Sequence, residues 1–349
     1  MRNKEKGRIL VALSGGVDSA VALYLLKKQG YEVEAAFMKN FSARANIKGD
    51  CPWKEDHLMA YRVASQLKVP IRTFNFEKQY HQKIVSYIFC SYKQGQTPNP
   101  DVLCNNEIKF KLFLDKAIKL GFDKIATGHY AQIKQTKNVY RLYRGRDKNK
   151  DQSYFLAGLG QAQLAKSLFP IGHLTKPRVR SIAKRAKLVN ADRPDSQGIC
   201  FIGKINLKDF LAQKIKPKEG KTLNTKGEFL GTHQGVWYYT IGQRQGLNLS
   251  GGPWYVVDKN VKKNILTVAR LNESSLYKKT IKIDSLHWLG KIYKLPLRAK
   301  AQVRYRQPAQ NATLYKEKII FTVRQRGVAS GQILVIYKNK ELIASATII

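Results

Sequence analysis

One short stretch near the amino end constrains the fold more than any other feature of the chain. The apolar run at residues 8–13 reads as a buried strand. Ser14, Gly15, Gly16, Val17, Asp18 and Ser19 follow at once, and apolar residues then recur at helical spacing over 19–29, with Gly30 as the C-cap. A strand, a glycine-rich turn and a helix form the unit by which an open α/β sheet binds ligands beyond the carboxyl ends of its strands. Two glycines let the backbone come close to a ligand. The free N–H groups at the helix start, with two serine hydroxyls, make a cradle for an anion. No Lys-Ser or Lys-Thr pair follows the glycines, so the loop is not that of a Walker A nucleotide-binding protein.

The alternation continues. Residues 32–38, 71–76 and 124–127 read as strands, and 55–67 and 106–120 as helices, the last ended by Gly121. This pattern predicts a doubly wound parallel sheet covered on both faces. Beyond about residue 200 short strands take over, at 236–240, 254–257, 265–269, 298–305, 319–323 and 332–337, with Asp258, Lys259 and Asn260 as a turn. That half reads as all-β, a small barrel or sandwich.

The chain has 349 residues, enough for two or three domains, and a formal net charge of +39. Such a charge excludes a neutral metabolic enzyme of the plain kind and points to a polyanionic partner. The densest stretch runs from Lys134 to Lys187, with 14 basic residues against Asp147 and Asp151 alone. A basic region inside the folded chain suits a nucleic-acid face, although Lys-rich codon usage would also raise the charge. The longest early apolar run is too short for a signal sequence or a bilayer span, so a cytoplasmic protein with no membrane partner is expected. None of the four cysteines, Cys51, Cys90, Cys104 and Cys200, forms a Cys-x-x-Cys pair, which argues against a zinc ribbon. The six histidines show no metal-ligand spacing. Cys90 lies in an apolar helical run and reads as core. Cys104 and Cys200 sit in segments bounded by Gly, Pro or Asn. They are either buried thiols or a reactive pair that the fold must bring together.

Further segments sharpen the reading. Asn99-Pro100-Asp101-Val102-Leu103-Cys104-Asn105 follows a Thr-Pro pair, and Thr127-Gly128-His129-Tyr130-Ala131 follows a strand. Lys150-Asp151-Gln152-Ser153-Tyr154-Phe155-Leu156 lies within the basic stretch, and Ser196-Gln197-Gly198-Ile199-Cys200-Phe201-Ile202-Gly203 ends the first half. Tyr239-Thr240-Ile241-Gly242-Gln243-Arg244, Gly252-Pro253-Trp254-Tyr255-Val256-Val257 and Arg304-Tyr305-Arg306-Gln307-Pro308 complete the set. The first loop resembles that of the ATP pyrophosphatases. The seven segments in this order resemble the tRNA-specific 2-thiouridylase family.

That resemblance implies an N-terminal ATP pyrophosphatase (HUP-like) domain at 1–203, a small tRNA-binding β-rich domain at 204–271 and a C-terminal β-barrel at 272–349. It implies ATP held by Ala12, Leu13, Ser14, Gly15, Gly16, Val17, Asp18, Ser19, Met38 and Gly128, with Mg²⁺ arriving on the nucleotide and no protein ligand assigned to it. It implies tRNA contacts at Asn99, Pro100, Asp101, Lys150, Asp151, Gln152, Arg304 and Tyr305. The chemistry it implies is adenylation of the wobble uridine and then sulfur transfer. Cys200 carries a persulfide supplied by an upstream sulfur relay protein, Cys104 acts as nucleophile, and Asp101 as general acid or base. The two cysteines end as a disulfide. His129 is expected to orient neighbouring groups, and Trp237 and Tyr239 to be core.

Binding of tRNA is expected to weaken steeply between about 50 and 200 mM salt, because each neutralised phosphate releases condensed counterion. Neutral replacements of Lys150 or Arg304 should lower affinity and flatten the slope of log affinity against log salt by about one each. Titrations over that range check this. A slope near zero would trace the positive charge to codon usage instead.

Overall fold

The computed structural model describes residues 7–42, 53–195 and 206–349. Cys51, most of the 41–53 loop and the segment from Ser196 to Gly203, with Cys200, lie outside the described residues.

The first strands are β1 (Arg8–Ala12), β2 (Glu32–Lys39), β3 (Ile71–Asn75) and β4 (Lys124–Ala126). A hairpin follows, β5 (Ala131–Thr136) and β6 (Val139–Arg144), and then the two-residue β7 (Ser167–Leu168). The first sheet has the order β3-β2-β1-β4-β7 and every pair in it is parallel. On β1, Ile9, Val11 and Leu13 enter one core cluster, and Leu10 and Ala12 enter another. Alternate side chains thus bury both faces of the strand, as a doubly wound sheet requires. The helices Val17–Lys28, Trp53–Gln66 and Lys176–Arg185 supply the cluster on one face. Residues 84–92 and 102–117 supply much of the other.

The central domain is a four-stranded sheet of β8 (Gly220–Asn224), β9 (Phe229–His233), β10 (Tyr255–Asn260) and β11 (Ile265–Ala269), in the order β10-β11-β8-β9. The C-terminal domain has β12 (Tyr277–Trp288), β13 (Leu297–Gln302), β14 (Gln310–Leu314), β15 (Lys318–Arg326), β16 (Ile333–Lys338) and β17 (Glu341–Ile348). They run in the order β12-β15-β14-β13-β16-β17, and pairing of β12 with β17 closes them into a six-stranded barrel. Ile281, Leu314, Ile319, Phe321, Leu334, Ile336 and Ala344 are among its buried core.

Several local expectations are corrected. Residues 236–240 are not a strand: Val236–Tyr238 is a 3-10 turn entered from Gly235, whose φ of 129° breaks the extended run. Asp258, Lys259 and Asn260 do not form the turn but finish β10, and the chain reverses after them. Cys90 lies on the helix Ser86–Lys93 but is exposed. The buried stripe there runs through Ile84, Val85, Ile88, Phe89 and Tyr92, and Cys90 falls off that stripe.

The hairpin β5–β6 was not legible as a partner of the barrel. Its β6 pairs with β17 through Tyr143 with Glu341 and Leu142 with Leu342, so a piece of the N-terminal half extends the C-terminal sheet. Arg144 fastens this joint. Its guanidinium stacks 3.7 Å from the Tyr337 ring centre, pairs with Asp151 at 3.1 Å and donates to Gln302 Oε1 at 3.2 Å. Asp151 is 8% exposed, so a lost partner leaves a carboxylate it cannot rehydrate. Arg144→Ala should therefore cost about 2–4 kcal/mol, seen as a lower urea midpoint. An unchanged midpoint would mean that the joint bears no weight.

Candidate active site

The loop after β1 is closed by one hydroxyl. Ser19 Oγ accepts from the Ser14 N–H at 3.2 Å and donates to the Gly16 carbonyl at 3.0 Å. Gly15 takes φ +79°, and a Cβ there would lie 2.4 Å from the Asp56 carbonyl oxygen. The Gly15 carbonyl accepts from Asn190 Nδ2 at 2.9 Å and from Arg193 Nη1 at 3.3 Å, which fixes its back. Gly128, just past β4, presses on the loop from the other side. A Cβ there would lie 2.7 Å from Ser19 N and 2.8 Å from Asp18 C. This is a backbone cradle with no room for side chains, and it fits a polyphosphate. Met38, the penultimate residue of β2, is 7% exposed, and Ala12 and Leu13 are likewise buried.

Asn99 starts the next functional element. Its Oδ1 accepts from Val102 N at 3.2 Å, and Pro100 fills the first helical position, so a helix begins at Pro100 rather than in the middle of the segment. The helical run continues from 100 to 119, α-helical over Pro100–Cys104 and Phe113–Lys119 with a π-helical stretch at Asn105–Leu112 between them. It leads back to the amino end of β4, the neighbour of β1, so it runs against the strands and its start lies toward their carboxyl ends. Asp101 is half-buried in its first turn. Cys104 is not in a loop, as its neighbours suggested, but is helical and wholly buried. Cys200, its expected counterpart, lies outside the described residues.

The barrel reaches this helix start. Thr97 N donates to the Ser330 carbonyl at 2.8 Å, and Gln332 Nε2 donates to the Thr97 and Pro98 carbonyls at 3.0 Å each. The segment from Lys150 to Leu156 is held the same way. Tyr154 OH donates to the Ile333 carbonyl at 2.7 Å, and Phe155 packs on Tyr305 with ring centres 4.3 Å apart. Tyr305 thus meets the very segment expected to share its partner. Asp151 is spent internally, on Arg144 and on the Gly145 and Ser153 N–H groups, and Gln152 Oε1 accepts from Tyr130 N. Arg304 donates to the Ile241 carbonyl and so ties the barrel to the central domain, a task its segment did not announce. Trp237 and Tyr239, expected to be core, are only partly buried against the central core, and Tyr238 between them is the buried ring.

His129 is 8% exposed, with ring centres of Phe110 and Phe169 each 5.8 Å away. Burial, helped by the Lys109 charge, drives its pKa well below the usual value, and Nδ1 shares a 2.7 Å hydrogen bond with Thr127. A neutral, enclosed imidazole orients its strand end, as expected.

Sequence reasoning missed the charge network over the loop. Lys176 Nζ lies 2.8 Å from Asp18 and 2.7 Å from Asp195. Lys150 and Arg180 each reach Asp195 at 2.7 Å. Burial works to raise the Asp195 pKa, but hydrogen bonds from Lys150 and Lys176 and their charges hold it down at about 2. Tyr130 OH donates to Asp18 at 2.7 Å, and burial together with that carboxylate pushes the phenol well up, keeping it a donor. In the sequence, Lys176 was one basic residue among 14. The only local signal was its place before Pro177 at a helix start.

Three family models match the chain in series: a tRNA methyl transferase HUP domain at 7–204, a tRNA methyl transferase PRC-barrel domain at 208–270 and an aminomethyltransferase beta-barrel domain at 278–348. A protein of Halalkalibacterium halodurans named tRNA-specific 2-thiouridylase MnmA is 44% identical, covering 99% of this chain and 96% of its own. One of the same name from Alkaliphilus oremlandii is 46% identical, covering 98% and 96%. The chain belongs to the tRNA-specific 2-thiouridylase family. The model descriptions speak of methyl transfer, but the relatives that match across all three domains are named for thiolation. Family membership, the parallel sheet and the closed barrel agree with the order of segments read from the sequence.

Because Gly128 touches the loop backbone, Gly128→Ala should push Ser19 N out of place. A displacement near 1 Å lowers pyrophosphate release on the order of 10²-fold, with tRNA affinity unchanged. Release at the parental rate would remove Gly128 from the nucleotide site.

Proposed function

We propose that Cys104, Cys200 and Asp101 carry out the sulfur insertion by which this family member makes 2-thiouridine in tRNA. The chain is an ATP-using tRNA-uridine 2-sulfurtransferase. What supports the residue assignment is topology: the 14–19 loop follows β1, and the helical run whose first turn bears Asp101 and Cys104 leads into its neighbour β4. An adenylating loop and a thiol at one edge suit activation followed by sulfur attack.

In this reading ATP lies on Ala12, Leu13, the 14–19 loop, Met38 and Gly128. The uracil O2 attacks the α-phosphorus, and pyrophosphate departs with the bonding electrons. The carbonyl oxygen, a poor leaving group, is now part of an adenylate, a good one. The terminal sulfur of a Cys200 persulfide then attacks C2 and AMP leaves. The Cys104 thiolate attacks the Cys200 sulfur, which frees the thiocarbonyl and leaves a Cys104–Cys200 disulfide. In the other order, Cys104 first releases hydrosulfide, which attacks C2. Either order ends in the same disulfide, which a dithiol must reduce. Asp101 exchanges the proton beside the base. The wobble base must leave its stack to reach this edge.

Among the described residues no group of three His, Cys, Asp or Glu side chains is placed to hold a metal ion. The loop offers one carboxylate, Asp18, so Mg²⁺ is assigned to the nucleotide phosphates, whose charge it would offset. A persulfide on Cys200 implies a donor protein of a sulfur relay. No helix among the described residues is long and apolar enough to cross a membrane. The need for reduced cysteines supports a place in the cytoplasm. For tRNA, Asn99, Pro100, Asp101, Lys150, Gln152, Arg304 and Tyr305 support a continuous contact, since the barrel holds the 97–98 and 150–156 segments together. Asp151 supports it from beneath by fixing the turn.

Three serine variants test the cysteine roles. Cys200→Ser should bind tRNA and release pyrophosphate but load no persulfide and form no 2-thiouridine. Cys104→Ser should accept the persulfide yet fail to complete a turnover. Cys90→Ser, at an exposed helix position, should match the parent. Persulfide labelling and nucleoside mass spectrometry give the answer, and full 2-thiouridine formation by either of the first two variants would sink the two-cysteine mechanism.

A further inference from the structure

We propose that Asp195 is a positioning residue that couples tRNA binding at Lys150 to nucleotide binding at Asp18, through Lys176. The proposal rests on the readings of the 14–19 loop as the ATP site and of Lys150 as a tRNA contact.

Two carboxylates and three cations form a chain across the mouth of the loop. Asp195 Oδ2 holds Lys150 at 2.7 Å, and Oδ1 holds Lys176 and Arg180, each at 2.7 Å. Lys176 is shared, since its Nζ is also 2.8 Å from Asp18. Its side chain is 11% exposed, so it has few other partners to turn to. A second carboxylate ties the same two segments by their backbones. Asp147 Oδ1 accepts from Lys150 N at 3.3 Å, and its Oδ2 accepts from Lys176 N at 2.8 Å. The Lys150 turn and the start of the helix Lys176–Arg185 are therefore held as one body, and a change of partner at one lysine is felt at the other.

The tRNA is a polyanion and competes with Asp195 for Lys150, whereas the nucleotide brings its own cation to Asp18. A tRNA phosphate that takes Lys150 removes one of the three cations on Asp195. Asp195 then holds Lys176 more strongly, and Lys176 loosens from Asp18. Asp18, relieved of a cation, is free to face the charge that accompanies the nucleotide. By the reverse path, a nucleotide whose accompanying cation engages Asp18 releases Lys176 to Asp195, and the hold on Lys150 loosens. The coupling is positive, and linkage makes it equal in both directions.

The experiment measures the dissociation constant of an α,β-methylene ATP analogue, as its Mg²⁺ complex, with and without tRNA, and that of tRNA with and without the analogue. The parent should show the same improvement in both, about 5-fold or more. Asp195→Asn keeps the shape but cannot bind three cations, so the factor should fall to near 1 while both ligands still bind. Asp195→Glu should restore part of it, which a merely structural loss would not. Lys176→Gln removes the shared cation and should also bring the factor to near 1, so the test stands even if Asp195→Asn folds poorly. A parental factor near 1, or a factor unchanged in Asp195→Asn and Lys176→Gln, overturns the proposal. Failure of the parent to bind the analogue at all overturns the nucleotide-loop reading, and with it the proposal, and is told apart because no coupling can then be measured.

Discussion

Parallel hydrogen bonding of β1 to β2 on one side and to β4 on the other is the constraint from which the rest of the molecule follows. The chain winds outward from β1 through β2 and β3, and then returns to the other side for β4 and β7. The 14–19 loop leaves the carboxyl end of β1, and Gly128, just past the carboxyl end of β4, packs against its backbone at the same edge. Both faces of the sheet are covered, so backbone polar groups face a ligand mainly at this edge.

The other two domains do more than extend the surface. One face of the first sheet shares its apolar cluster with Phe210, Leu211 and Tyr238 of the middle of the chain and with Val335, Tyr337 and Leu342 of the barrel. The barrel also supplies the polar clasps at Thr97, Pro98 and Tyr154. Thr97 and Pro98 directly precede the cap of the helix that bears Asp101 and Cys104. Arg304 and Arg144 each join domains.

Charge in this protein is therefore of two kinds. Surface lysines make the long-range positive field that draws a polyanion. Near the 14–19 loop, Lys150, Lys176 and Arg180 are drawn into short contacts by Asp195, where position matters more than net charge. Removing a surface lysine changes one increment of the field, whereas removing Asp195 releases three cations at once.

The sequence by itself determined the parallel sheet and its loop. Hydrophobic runs of strand length, a Gly-Gly turn and helical spacing are local signals, and local sterics and burial enforce them. It also determined the family, because seven segments keep their order along the chain. It misled where a neighbouring pattern imitated another: Cys104, beside Asn and Pro, looked like a loop residue, yet Asn99 and Pro100 are a helix cap and a first helical residue. Only the tertiary structure decided that Lys176 reaches Asp18, that Asp195 gathers cations 15 to 45 residues away, and that β6 pairs with β17 across some two hundred residues. Those choices depend on which surfaces meet after the elements have formed. Side-chain charge and strand edges are alike along much of this chain, so nothing local distinguishes the lysine that meets a carboxylate from the many that meet water.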